Sequence, residues 1–114
     1  MLDVSVILVN YKTKNLTKDA IDSLIAKTKT VSYEILVIDN NSNDGISELI
    51  ANAYGDRVKL IESNVNIGFG PANNIAIKEA KGKYVFLLNP DTIVLNDVLS
   101  YFFLYCEKNK NIGC

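Results

Sequence analysis

Asp3-Val4-Ser5-Val6-Ile7-Leu8-Val9-Asn10-Tyr11 opens the chain with an apolar, β-branched run too dense to leave one face solvated. A strand of that kind is covered on both sides, as the strands of parallel sheets are. The same reading holds for Glu34 to Ile38, which ends at Asp39, for the short run Val58 to Ile61, and for Lys83 to Leu88. Helical spacing fills the intervals. From Asn15, read as an N-cap, Leu16, Ala20, Ile21, Leu24 and Ile25 recur on one face. The turn-rich Asn40-Asn41-Ser42-Asn43-Asp44-Gly45 leads into Ile46, Leu49, Ile50 and Ala53. Pro71 suits the first turn of a helix whose inner face holds Ala72, Ile75, Ala76 and Ala80, with Gly82 as its C-cap. Asn96 starts a last helix carrying Val98, Leu99, Phe102, Phe103 and Cys106 on one side. Strict β-α alternation predicts a three-layer α/β/α domain, Rossmann-like, with a mostly parallel sheet and right-handed crossovers.

Composition bounds the chemistry. The 114 residues fit one domain, and 12 basic against 13 acidic residues with no basic run argue against nucleic-acid binding. No apolar stretch approaches the roughly 20 residues that span a bilayer, and Met1-Leu2-Asp3 lacks a basic leader, so a cytoplasmic location is expected, at most peripheral to the inner face of the membrane. Cys106 and Cys114 form no C-x-x-C pair and read as bystanders in a reducing compartment. The chain has no histidine. That removes Ser-His-Asp, Cys-His and His-zinc chemistry, leaving carboxylates, lysines, tyrosines and hard cations such as Mg²⁺ or Mn²⁺.

In an open α/β sheet, ligands bind beyond the carboxyl ends of the strands. Asn10-Tyr11, Asp39 and Asn89-Pro90-Asp91 all fall there, on one edge. Each also has a purely local reading: Asn89-Pro90-Asp91 as a β-turn, Asp39 as the cap of the following turn, and Tyr11 as a half-buried strand-end aromatic. Asn64, Asn66, Gly68, Gly70, Asn73 and Asn74 crowd a loop-to-helix junction able to favour a phosphate, although Gly68-Phe69-Gly70-Pro71-Ala72-Asn73 is neither G-x-G-x-x-G nor a P-loop. A dinucleotide-binding oxidoreductase fails on the first turn, where Asn10-Tyr11-Lys12-Thr13-Lys14 offers no glycine. A non-catalytic α/β module that binds a nucleotide or a protein stays open beside an enzyme.

Four segments together carry a family resemblance: Val4 to Tyr11, Glu34 to Ser42, Asn66 to Asn74, and Ala80 to Thr92. They span nearly the whole chain, which resembles a family 2 glycosyltransferase with a GT-A fold. The Val-Asn-Tyr start, the Gly-Phe-Gly loop and Leu-Leu-Asn-Pro-Asp resemble its rhamnosyltransferase-like branch. The resemblance implies transfer of a sugar, with inversion, from a dTDP- or UDP-linked donor to a glycan acceptor hydroxyl, in polysaccharide or cell-surface glycan synthesis. It implies a nucleotide-sugar site drawn from Val9, Asn10, Tyr11, Asp39, Asn41, Asn66, Gly68, Asn73, Asn89, Pro90 and Asp91. Within it, Tyr11 and Asp39 would contact the nucleobase and Asp91 the metal, Mg²⁺ or Mn²⁺. Asn89 stands where many members carry the first Asp of D-x-D, so one carboxylate is missing and metal and donor are expected to bind together.

No residue matches the family's catalytic base, which with the acceptor-binding half lies downstream in the family. Residues 1–114 are therefore read as the N-terminal, donor-binding part, truncated where another strand would begin at Ile112-Gly113-Cys114 and inactive alone. A truncated sheet edge and uncovered apolar surface around Tyr101 to Tyr105 predict self-association.

Overall fold

A computed structural model describes residues 2–110. The strand expected at Ile112-Gly113-Cys114 lies outside the described residues, as does Cys114. The elements run β1 (Leu2–Asn10), α1 (Lys14–Lys27), β2 (Tyr33–Asp39), α2 (Ile46–Ala53), a 3-10 turn (Gly55–Arg57), β3 (Val58–Glu62), α3 (Phe69–Glu79), β4 (Gly82–Leu87) and α4 (Val98–Lys108). The strands form one parallel sheet in the order β3-β2-β1-β4. Val6 sits opposite Ile35 on one side and Phe86 on the other.

Alternation along β1 divides the core. Val4, Val6 and Leu8 join Ile35, Val37 and Val58 beneath α1, α2 and α4, through Ile21, Leu24, Ile50 and Leu99. Ile7 and Val9 join Leu36 and Ile38 on the opposite face, beneath Ala72 and Ala76 of α3. Full burial of such a side chain is worth about 1.5 to 3 kcal/mol, so the two clusters fix the three layers. The chain winds from β1 through β2 to β3, then crosses with α3 to the far side of β1 to form β4. The winding reverses between β1 and β4, and a crevice opens beyond the strand ends at such a point.

Several boundaries differ from the sequence reading. Thr13, not Asn15, flanks α1, and Leu16 is 47% exposed because Thr17 turns inward to donate its hydroxyl hydrogen to Asn10 Oδ1 at 2.8 Å. In α3 the inward positions are Ala72, Asn73 and Ala76, and Ile75 faces outward. Gly82 does not cap α3; Ala80 does, and Gly82 begins β4. A Cβ at Gly82 would stand 2.4 Å from the Ser5 backbone nitrogen, so the close approach of β4 to β1 requires glycine. The junction is tied by Gly82 N–H donating to Ser5 Oγ (2.7 Å), while the Ser5 hydroxyl and Lys81 N–H both donate to Glu34 Oε2 (2.5 and 2.6 Å).

Asn96 does not begin α4; Asp97 caps it, accepting from Ser100 N–H at 3.2 Å. The other oxygen of Asp97 accepts from Lys29 N–H at 3.2 Å, coupling that helix start to the end of α1. β4 is only partly buried, because it is an edge strand of the sheet. Its Phe86 meets Phe102 of α4 edge-on at 4.9 Å between ring centres, while Tyr101, Leu104 and Tyr105 remain exposed.

Candidate functional site

Beyond the ends of β1 and β4 lies an open cleft of about 460 Å³. Val9 and Tyr11 come from the end of β1, Asn66, Gly68 and Phe69 from the loop entering α3, and Asn89, Pro90 and Asp91 from the turn after β4. Thr13, Leu16 and Asn40 complete the wall. Seven of the residues expected at the site, Val9, Tyr11, Asn66, Gly68, Asn89, Pro90 and Asp91, thus converge on one surface. Asn10, Asp39, Asn41 and Asn73 do not line it.

Asn10 and Asp39 instead form the buried footing of the cleft. The Asn10 side-chain amide donates to Asp39 Oδ1 (2.9 Å) and to Asp44 Oδ2 (3.3 Å), while its oxygen accepts from the Thr13 and Thr17 hydroxyls (3.0 and 2.8 Å). Ser42 donates its hydroxyl hydrogen to Asp39 Oδ1 (2.5 Å) and its N–H to Asp39 Oδ2 (3.3 Å). Lys12 N–H donates to Ser42 Oγ at 2.8 Å and holds Lys12 at φ 57, a left-handed bend. That bend follows Tyr11 directly, so the Asp39–Ser42 pair anchors the turn that carries the ring to the cleft. Asn41, also left-handed at φ 61, is exposed between Asp39 and Ser42 on the loop after β2, and Asn73 is buried within α3.

Asn89-Pro90-Asp91 is both a turn and part of the wall. Thr92 N–H donates to the Asn89 carbonyl at 3.0 Å, closing a turn with Pro90 second in it, where its fixed φ fits. Asp91 N–H donates to Asn89 Oδ1 at 3.3 Å, and no described residue bonds the Asn89 amide nitrogen. Among the described residues, no side chain or backbone group bonds the Asp91 carboxylate.

Sequence reasoning missed Thr13, Leu16, Asn40 and Phe69. Phe69 carried a signal: an aromatic between two glycines at a helix start has no obvious core face, and it is 62% exposed. Asn40 was hidden behind Asp39; it is 2% exposed, its amide donates to the Gly68 carbonyl (3.1 Å), and its oxygen accepts from Ile67 N–H (3.3 Å).

Electrostatically the cleft is sparse. Asp91 is the one charged residue among the described residues that line it. Lys12 and Lys14 border a neighbouring depression that shares Thr13 and Leu16, and the Lys12 ammonium lies 5.3 Å from the Tyr11 ring centre. No cluster of three or more His, Cys, Asp or Glu able to hold a metal occurs among the described residues. The donor set therefore fits a hard cation held jointly with a ligand that brings its own oxygens, and does not fit a cage made of protein alone. No helix among the described residues is long and apolar enough to cross a membrane.

The family profile described as Glycosyl transferase family 2 matches residues 5–114. An uncharacterized glycosyltransferase of Rickettsia conorii is 36% identical over 110 residues, a match that covers 96% of this chain and 18% of the relative. S. aureus TarS 1-349, solved in complex with UDP-GlcNAc, superposes with a TM-score of 0.81 at 22% identity over 96% of this chain and 32% of its own. The mannosyltransferase PcManGT from Pyrobaculum calidifontis, in complex with GDP-Man and Mn²⁺, gives a TM-score of 0.73 at 23% identity over 85% of this chain and 31% of its own. The chain thus spans under a fifth of that curated relative and about a third of these solved chains.

Proposed function

The chain belongs to glycosyl transferase family 2, and on that premise we propose that it is the nucleotide-sugar-binding part of an enzyme that transfers a sugar, with inversion, to a glycan acceptor hydroxyl in polysaccharide or cell-surface glycan synthesis. The donor is a dTDP- or UDP-linked sugar, in line with the UDP-GlcNAc complex of a structural neighbour. The Gly-Phe-Gly loop and the Asn-Pro-Asp turn favour the rhamnosyltransferase-like branch. The acceptor site and the general base are assigned to sequence outside residues 1–114. On this reading the chain acts in the cytoplasm and lacks activity by itself, and its exposed Tyr101, Leu104 and Tyr105 support self-association.

One observation carries the reading: the cleft at the β1/β4 reversal combines an aromatic ring, Tyr11, with a single unpartnered carboxylate, Asp91. Tyr11, 42% exposed, offers a face on which a flat base can stack. Asn66 and Asn89 present amide hydrogens suited to hydroxyl and phosphate oxygens. A diphosphate meets one negative residue and no cation on this wall, so Asp91 would hold Mg²⁺ or Mn²⁺ there jointly with the diphosphate. When bound, the metal would neutralise the charge of the departing nucleoside diphosphate.

Thermal or chemical denaturation with UDP, dTDP or GDP, with and without Mn²⁺, tests the proposal. A ligand at about 100 times its Kd adds roughly 2.7 kcal/mol of stability. A metal-dependent gain for a uridine or thymidine diphosphate is expected; no gain with any nucleotide would reject it.

A further inference from the structure

We propose that Asn40 is a positioning residue for nucleotide binding, acting through the Asn66–Gly68 loop that forms one wall of the cleft; the inference rests on the function proposed above.

Asn40 follows β2 and is held from both sides. Its backbone N–H donates to the Asn10 carbonyl at 2.9 Å, extending the β1–β2 ladder by one residue. Its side chain then reaches across to the loop, donating to the Gly68 carbonyl and accepting from Ile67 N–H at 3.1 and 3.3 Å. A carboxamide is suited to this because it offers one donor and one acceptor side by side, the pair that a neighbouring strand would offer. The same Gly68 carbonyl accepts from Ala72 N–H at 3.3 Å and so starts α3, with Gly68 at φ 85. Asn40 therefore joins the end of β2 to the entry of α3.

The clamp also decides what the loop shows to a ligand. Gly68 N–H donates to Asn66 Oδ1 at 2.9 Å, which engages that oxygen and fixes the orientation of the carboxamide. What Asn66 retains is its amide nitrogen, a donor. With the Ile67 and Gly68 N–H groups both used within the clamp, the Asn66 amide nitrogen is a donor that this loop keeps for an oxygen-rich ligand. Asn40 is 2% exposed, with both side-chain atoms turned to the loop backbone, so its effect passes through the loop.

The test combines hydrogen exchange of the Ile67 amide with nucleotide titration in the presence of Mn²⁺, on the chain itself and on Asn40→Ala and Asn40→Asp. Asn40→Asp keeps the acceptor for Ile67 but sets an oxygen against the Gly68 carbonyl, so it separates hydrogen bonding from volume. Faster Ile67 exchange with Leu36 in β2 still protected is expected in Asn40→Ala, with a Kd for UDP or dTDP raised about tenfold in both variants. In the unaltered chain, saturating nucleotide should slow Ile67 exchange, a readout that needs no variant to fold. Binding by the unaltered chain that leaves Ile67 exchange unchanged, or variants that bind equally well, overturns the inference alone. An unaltered chain that binds no nucleoside diphosphate overturns the proposed function and this inference with it.

Discussion

Asn10 and Asp39 stand opposite one another in the β1–β2 register, and the Asn10 amide donates to Asp39 Oδ1 at 2.9 Å. Both are buried, at 0% and 6% exposure, so this carboxylate is satisfied by protein groups and not by water. Removing the amide strands several partners at once, since Thr13, Thr17 and Asp44 also bond to Asn10. Asn10→Ala is expected to lower unfolding stability by about 1 to 3 kcal/mol in a urea titration, the cost of leaving a buried polar group unpaired. Asn10→Asp should cost more, because it faces Asp39 with a like charge.

At the other end of the sheet, Gly82→Ala places a Cβ 2.4 Å from the Ser5 backbone nitrogen, which cannot move without shifting β1. A loss of about 1 to 3 kcal/mol is expected from denaturant midpoints, in the range of overpacked sites. A change within measurement error would mean that β4 does not approach β1 this closely.

Asp91 is exposed and bonded to no described side chain, so Asp91→Ala should leave the denaturation midpoint unchanged within about 0.5 kcal/mol. Its effect should fall on ligand binding: the stabilisation by UDP or dTDP should cease to depend on Mn²⁺. Retained metal dependence would remove Asp91 from the role of metal ligand.

Tyr11→Ala should weaken nucleotide binding by about 0.5 to 1.5 kcal/mol, roughly two- to tenfold in Kd, if the ring stacks on the base. Tyr11→Phe keeps the ring and should bind like the unaltered chain. Isothermal titration separates the two; a Phe variant as weak as Ala would shift the role to the hydroxyl.

Tyr54 donates its hydroxyl hydrogen to Asp22 Oδ1 at 2.6 Å, and Lys18 pairs with the other oxygen at 2.5 Å. Burial alone would raise the Asp22 pKa, but hydrogen bonds from Lys18 and Tyr54 hold it below the usual carboxylate value. Its contribution to stability is therefore present above the unfolded-state pKa and lost as pH falls through the lowered folded value. Burial, then the bond to Asp22, pushes the Tyr54 hydroxyl well above its ordinary value. The unfolded chain then releases that proton first, so stability declines as pH rises past about 10. Tyr54→Phe should flatten the alkaline decline and shrink the acid one in pH-dependent denaturation; an unchanged alkaline limb would assign it to another group.

The sequence by itself determined the layers, the alternation and the edge on which the cleft lies. Val4, Val6, Ile7 and Leu8 can be buried together only in a strand covered on both faces, a consequence of local periodicity that needs no distant partner. Asn89-Pro90-Asp91 was equally legible, because proline geometry and the end of β4 are local facts. The tertiary structure alone decided which side chains face the cleft. Beginning α1 at Lys14 turned Thr17 inward and left Leu16 on the wall, and the rotation of α3 buried Asn73 where Ile75 had been expected. Asp39 turned to Asn10 and Ser42 beneath the cleft, while Asn40 reached Gly68, 28 residues away, to shape its wall. Such choices depend on how a helix is rotated against the sheet and on which distant backbone group comes within hydrogen-bond distance, and neither is encoded in the spacing of residues along one segment.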